Sequence, residues 1–210
     1  MKRNFARTLR ATTLALAGTI AVTGCAPLLV GGAIVGGSLV ATDRRTSGAQ
    51  IDDEVIELKA KRRIDEALGE RGQISVTSYN RIVLMTGIVT EAADKATAEQ
   101  AVGRIDNVQS VVNELAVGIP RSFVNRSNDT LITAKVKASI VDAKDLFANS
   151  VKVVTSQAVV YLMGRVTERE ATRSAEVARG VSGVRKVVRV FEIITEAELA
   201  NTAAKAPAKP

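Results

Sequence analysis

Histidine and tryptophan are absent from the 210 residues, cysteine occurs once, and the aromatic side chains are four Phe and two Tyr. Without histidine the commonest general base and the commonest metal ligand are missing. One cysteine excludes an intramolecular disulfide. With so few rings, any core has to be built from Val, Ile, Leu and Ala. The glycine pairs are not followed by Lys-Ser or Lys-Thr, so no phosphate loop is indicated. No local motif sets a serine beside an activating base. The paired acids Asp52-Asp53 read as a helix cap, and Glu168-Arg169-Glu170 reads as a solvent-facing helix start. No catalytic residue and no metal-ligand set is therefore assigned, and a non-enzymatic role is expected.

What is present begins at the N-terminus. Lys2, Arg3, Arg7 and Arg10 precede an apolar run over 14–22, which ends in Val22-Thr23-Gly24-Cys25. A charged start, a short apolar stretch and small residues at the break form a secretory signal over 1–24. The run is too short for a typical spanning helix. The apolar-small-Gly-Cys order resembles the lipobox of bacterial lipoproteins. That resemblance implies a diacylated Cys25 sulfur, cleavage before it and an acylated new amino group, so the only attached group expected is covalent lipid. Two or three acyl chains hold a chain to a bilayer where one does so only marginally. Residue 26 is Ala rather than Asp, and lipoprotein sorting then implies the outer membrane, facing the periplasm.

Residues 25–50 read as a tether: an apolar, glycine-rich part to Ala41, then a polar part from Asp43 to Gln50. Glycine disfavours helix and leaves the backbone loose. The net charge of +7 is unevenly spread. Residues 49–118 hold eight basic and twelve acidic side chains, a net of −4, whereas 119–195 hold thirteen and seven, a net of +6. A secreted chain argues against a nucleic-acid partner, so the basic half points to an anionic phospholipid membrane.

The chain is an internal duplication. With Asp53 set over Asp129, Ile56 meets Ile132, Lys59 meets Lys135, Lys61 meets Lys137 and Ile64 meets Ile140. After a one-residue shift, Met85-Thr-Gly-Ile-Val-Thr-Glu91 falls on Leu162-Met-Gly-Arg-Val-Thr-Glu168. Each unit, 51–119 and 126–195, reads helix-strand-strand-helix-strand. Asp52-Asp53 cap the first helix, as Asn128 or Asp129 does in the second unit. Ile56, Ala60 and Ile64, or Ile132, Val136 and Ile140, supply an apolar stripe at helical spacing. Alternating β-branched residues about a polar turn make each strand pair a hairpin. Gly87 and Gly164 end the second strand, where a kink or close backbone approach requires glycine. The fold class is α+β, each unit a three-stranded mixed sheet packed against two helices. Residues 196–210, rich in Ala, Lys, Pro and Thr, read as a disordered tail.

These features resemble the BON domain, a bacterial α/β module of periplasmic and outer-membrane proteins. Two such units behind a lipobox are similar to the dual-BON outer-membrane lipoproteins. The match rests on the hairpin running into Val-Thr-Glu, the Val181-Ser-Gly-Val184 turn, and Ser127-Asn-Asp-Thr130 before Thr133-x-Lys-Val136. The resemblance implies a non-catalytic protein that supports the outer-membrane barrier, binds anionic phospholipid through its second unit and gathers at the division site. Its lipid-binding residues would be Arg126, Leu131, Lys135 and Lys137. The family helix can carry tryptophan just after Asn-Asp-Thr, where this chain has Leu131, a less specific interfacial anchor. A second expectation is a periplasmic scaffold whose acidic first unit docks an outer-membrane assembly or envelope protein. Fatty-acid labelling checks the anchor: Cys25→Ala should abolish incorporation and leave the signal uncleaved.

Overall fold

The computed structural model describes residues 43–119 and 123–204. The signal, Cys25 and the tether through residue 42 lie outside them. The described elements run α1 (Ser47–Leu68), β1 (Gly72–Tyr79), β2 (Ile82–Val89), α2 (Ala92–Gly103) and β3 (Ser110–Val117) in the first unit. The second unit runs α3 (Phe123–Asp142), a short 3-10 turn (Ala148–Ser150), β4 (Lys152–Ser156), β5 (Val159–Val166), α4 (Glu168–Arg179) and β6 (Lys186–Ile193), followed by α5 (Glu196–Ala204). Both sheets are mixed: β1 is antiparallel and β3 parallel to the central β2, and β4 and β6 flank β5 in the same way.

Both first helices start earlier than the expected caps, Asp52-Asp53 and Asn128 or Asp129. Thr46 caps α1, its hydroxyl accepting from the Ala49 N–H at 3.1 Å. Asp53 is thus inside the helix and buried, one turn before Ile56, Ala60 and Ile64 on the core face. Asp129 stands in the same relation to Ile132, Val136 and Ile140. The two carboxylates cap the hairpins instead. Asp53 accepts from the Asn80 and Arg81 N–H groups at 2.8 and 2.7 Å, and Asp129 accepts from Gln157 and Ala158 at 2.8 Å each. All four turn residues have positive φ, from 48° to 67°. Two such residues between the strands make the tight hairpin turn whose twist matches the strands. None of them is glycine, and a left-handed conformation costs an ordinary residue roughly 1–2 kcal/mol. The charged acceptor beneath each turn offsets that cost.

The central strands are buried on both faces, which is why they read as nearly unbroken apolar runs. Val83, Met85 and Val89 point to α1 and α2, where they meet Ile56, Ala60, Ile64, Leu68, Ala98 and Val102. Val160, Leu162 and Val166 do the same beneath α3 and α4. The opposite faces pack on each other: Tyr79 and Leu84 of the first sheet join Val159, Tyr161, Met163 and Val190 of the second. The layers are therefore helices, sheet, sheet, helices. Both tyrosines are in this central layer, and burial pushes each phenol up to about 12.

Gly87 and Gly164 are inside β2 and β5, two residues before their ends, and not at them. Gly87 has φ +125°, and a Cβ there would run into the Gln73 carbonyl of β1; at Gly164 it would meet the Ser150 carbonyl. Residues 196–204 of the tail also depart from the expected disorder. Thr195 and Glu198 form a reciprocal cap, with Thr195 N–H donating to Glu198 at 2.8 Å and Glu198 N–H to the Thr195 hydroxyl at 3.1 Å, and α5 follows. Thr-x-x-Glu is a helix-start signature that outweighs the tail's composition.

Removing the acceptor leaves two turn amides without their charged partner. Asp129→Ala should lower stability by about 2–3 kcal/mol, read as a fall in the thermal midpoint by circular dichroism, with Asp53→Ala costing at least as much.

Candidate functional site

Helix α3 carries three of the expected lipid-binding side chains within described positions. Ile132, Val136 and Ile140 turn inward and are almost fully buried. Leu131 faces out and is 60% exposed. At about 100° per residue, Lys135 lies roughly 40° round the helix from Leu131 and Lys137 about 120°. The fold therefore sets Leu131 and Lys135 on one crest and moves Lys137 to its shoulder. Ala134 and Ala138 continue the crest, and Val141 is 66% exposed beside it. The backbone of Arg126 belongs to the same helix; its side chain lies outside the described residues, as does Cys25. A large apolar side chain in water beside a cation is the arrangement of an interfacial helix. Among the described residues no helix is long and apolar enough to cross a membrane.

The contacts that tie the two units together were not visible in the motifs. The polar end of the expected tether is instead a strap between the units. Arg44 is buried and donates to both carboxylate oxygens of Glu170, at 2.7 and 2.8 Å, and to the Arg165 carbonyl at 3.0 Å. Arg165 donates back to the Arg44 carbonyl at 3.2 Å and to Glu192 at 2.9 Å. The next residue, Arg45, bonds Asp43 and reaches Asp53 at 2.8 Å, its guanidinium 4.3 Å from the centre of the Tyr79 ring. So Glu170 is not solvent-facing as expected. It is 1% exposed and also accepts from the Thr167 N–H at 3.0 Å, completing the reciprocal cap of α4. Burial by itself would raise the Glu170 pKa; the Arg44 guanidinium and the Thr167 N–H outweigh it and hold the carboxyl below its ordinary value. The signals that could have found these roles were the pairing of Asp53 with Asp129 in the repeat and Thr167-x-x-Glu170 as a capping box.

The BON domain family matches residues 52–119 and again 128–195. The chain belongs to the BON-domain family. Among BON relatives, it is 36% identical over 188 residues to Outer membrane lipoprotein DolP of Haemophilus influenzae, covering 89% of this chain and 97% of that one. The 21 kDa hemolysin of Actinobacillus pleuropneumoniae is 32% identical over 154 residues, 72% of this chain and 79% of its own. Osmotically-inducible protein Y of Escherichia coli is 28% identical over 155 residues, 72% and 77% of the two chains. These relatives are named as a lipoprotein, a hemolysin and an inducible protein. The BON pattern accounts for both sheets and all four packing helices.

The Arg44–Glu170 pair ties the first unit's leading segment to the second. Removing one partner of a buried pair strands the other charge and costs about 3–5 kcal/mol. Arg44→Ala should therefore be strongly destabilising, with exchange of the Arg165 and Thr167 amides accelerated first. Because the Glu170 pKa is lowered on folding, its contribution is present above the ordinary carboxylate range and is lost as pH falls through the folded value. Acid should thus erase the difference between wild type and Arg44→Ala in denaturant titrations.

Proposed function

We propose that the protein is an outer-membrane lipoprotein, held by acyl chains on Cys25 and facing the periplasm, whose second BON domain binds anionic phospholipid. It supports outer-membrane integrity, including at the division site, and performs no catalysis. The lipobox resemblance and the relative named Outer membrane lipoprotein DolP support the anchor and the location. The observation that carries lipid binding is the exposed crest of α3, where Leu131 stands in solvent beside Lys135 on a domain with a net charge of +6.

Leu131 dips into the interface in this reading, while Lys135, with Arg126 and Lys137, meets lipid phosphates. Each cation close to an anionic surface contributes about 1 kcal/mol. Such contacts are weak singly, and the acyl anchor makes them sufficient by raising the local concentration of headgroups. The buried stripe of α3 and the turn lock at Asp129 keep the crest rigid, so little ordering is lost on contact.

Co-sedimentation of the full chain with phosphatidylglycerol or cardiolipin vesicles tests the reading. Reversing one charge changes the attraction by about 2 kcal/mol, so Lys135→Glu should weaken binding by roughly tenfold or more. Leu131→Glu should do at least as much, and Lys137→Glu less. Equal binding by wild type, Leu131→Glu and Lys135→Glu, with the fold intact by circular dichroism, would refute it.

A further inference from the structure

Helix α1 carries an apolar stripe that the fold leaves uncovered. Ile51 is 62% exposed, Val55 43% and Leu58 73%. Their spacing of four and then three residues puts them on one line along the helix, away from the buried face of Ile56, Ala60 and Ile64. Three large aliphatic side chains in a row on the surface of a soluble domain mark a contact surface. Leu58 borders an open groove of 880 Å³, also lined by Glu54, Lys61, Thr130 and Thr133, so the stripe is approached from solvent on that side.

The charges beside the stripe name the partner. Its N-terminal half is flanked by Asp52 and Glu54, its C-terminal half by Lys59 and Lys61. Acids beside Ile51 and Val55 would be repelled by an anionic bilayer, which argues against a second lipid contact. The same order is self-complementary when two copies of α1 run antiparallel. A two-fold axis passing between Ile56 and Glu57 sets Val55 against the second copy's Leu58 and Ile51 against the aliphatic stem of its Arg62. Glu54 then faces the second copy's Lys61 and Asp52 its Lys59, each pair occurring twice. A two-fold contact of this kind uses one patch on both chains and closes on itself, and flanking charges of this order select helix orientation. Lys61 pairs within the chain with Asp65 at 2.9 Å, both more than half exposed, and Lys59 with Asp106 at 3.7 Å, whereas Asp52 is held by Arg81 at 2.6 Å, so the Glu54–Lys61 pairs carry the flank. Exposed pairs contribute little and are readily exchanged.

We propose that two copies of this protein pair through α1, antiparallel, with Ile51, Val55 and Leu58 at the centre and Glu54–Lys61 pairs on the flank. This surface uses no residue of the crest on α3. Pairing does not require the anchor, though copies held on one bilayer would pair more.

Sedimentation velocity of the full chain in mild detergent tests this. The wild type should show a concentration-dependent monomer–dimer equilibrium, and Leu58→Glu should abolish it. Glu54→Lys and Lys61→Glu each bring like charges together and should weaken pairing about tenfold or more. Mixing these two variants should restore it, because each then faces the opposite charge on the other. In a Cys25→Ala background, Val55→Cys or Leu58→Cys should crosslink to a second copy through a short bismaleimide. A wild type that stays monomeric at its highest soluble concentration, a mixture no better than its components, or crosslinks only to a different envelope protein would overturn the proposal.

Discussion

A carboxylate beneath each hairpin turn is the interaction on which the rest of each unit depends. Asp53 and Asp129 are each one turn ahead of an inward-facing aliphatic stripe, so the helix that fills the core also delivers the charge. Each takes two backbone N–H groups from a turn built of residues that do not favour it. The turn sets the register of the hairpin, and register decides which side chains of β2 and β5 face the helices. A one-residue slip would turn Val83 and Met85 away from α1 and put Leu84 in their place.

That register has a second consequence. With alternate residues of the central strands committed to the helices, the remaining ones form an apolar face with nothing of their own unit to cover it. The two copies solve the problem for each other. Leu84 and Tyr79 meet Tyr161 and Met163, and polar contacts close the margin, including Asn80 to Glu192 at 2.5 Å and Lys152 to the Ser78 carbonyl at 3.1 Å. Duplication is thus a structural requirement: each sheet is the other's missing layer. The strap through Arg44 then crosses this seam with a bidentate, buried ion pair, joining the end of the tether to the start of α4.

Stacking sheet on sheet sends the helices to the outside. The crest of α3 and the stripe of α1 are both exposed for this reason, and they differ in chemistry. On α3 Leu131 stands beside a lysine in a basic unit. On α1 three aliphatic residues are bordered by acids at one end and bases at the other. The first is the surface we propose for a charged bilayer, the second the one we propose for another copy of the same helix. A protein without histidine can act by bringing such surfaces together.

The duplication, the α+β class, the order of elements and the inward stripes were legible in the amino-acid order, because helical and strand periodicities are local properties of the chain. Gly87 and Gly164 stood out for the same reason, since a backbone that leaves no room for Cβ admits one residue. The roles of Asp53, Asp129, Arg44 and Glu170 were not legible. An acid next to a helix start looks like a cap, and an arginine in a polar stretch looks like a linker. Only contacts across 25 to 126 positions of sequence reveal the partners. Leu131 and Lys135 could be placed on one helix from spacing alone, but their exposure depended on which face the second sheet and α4 left open. Local pattern set what each segment would become; the packing of one sheet against the other decided which surfaces remained for a partner, because burial belongs to the assembled layers and to no single stretch of the chain.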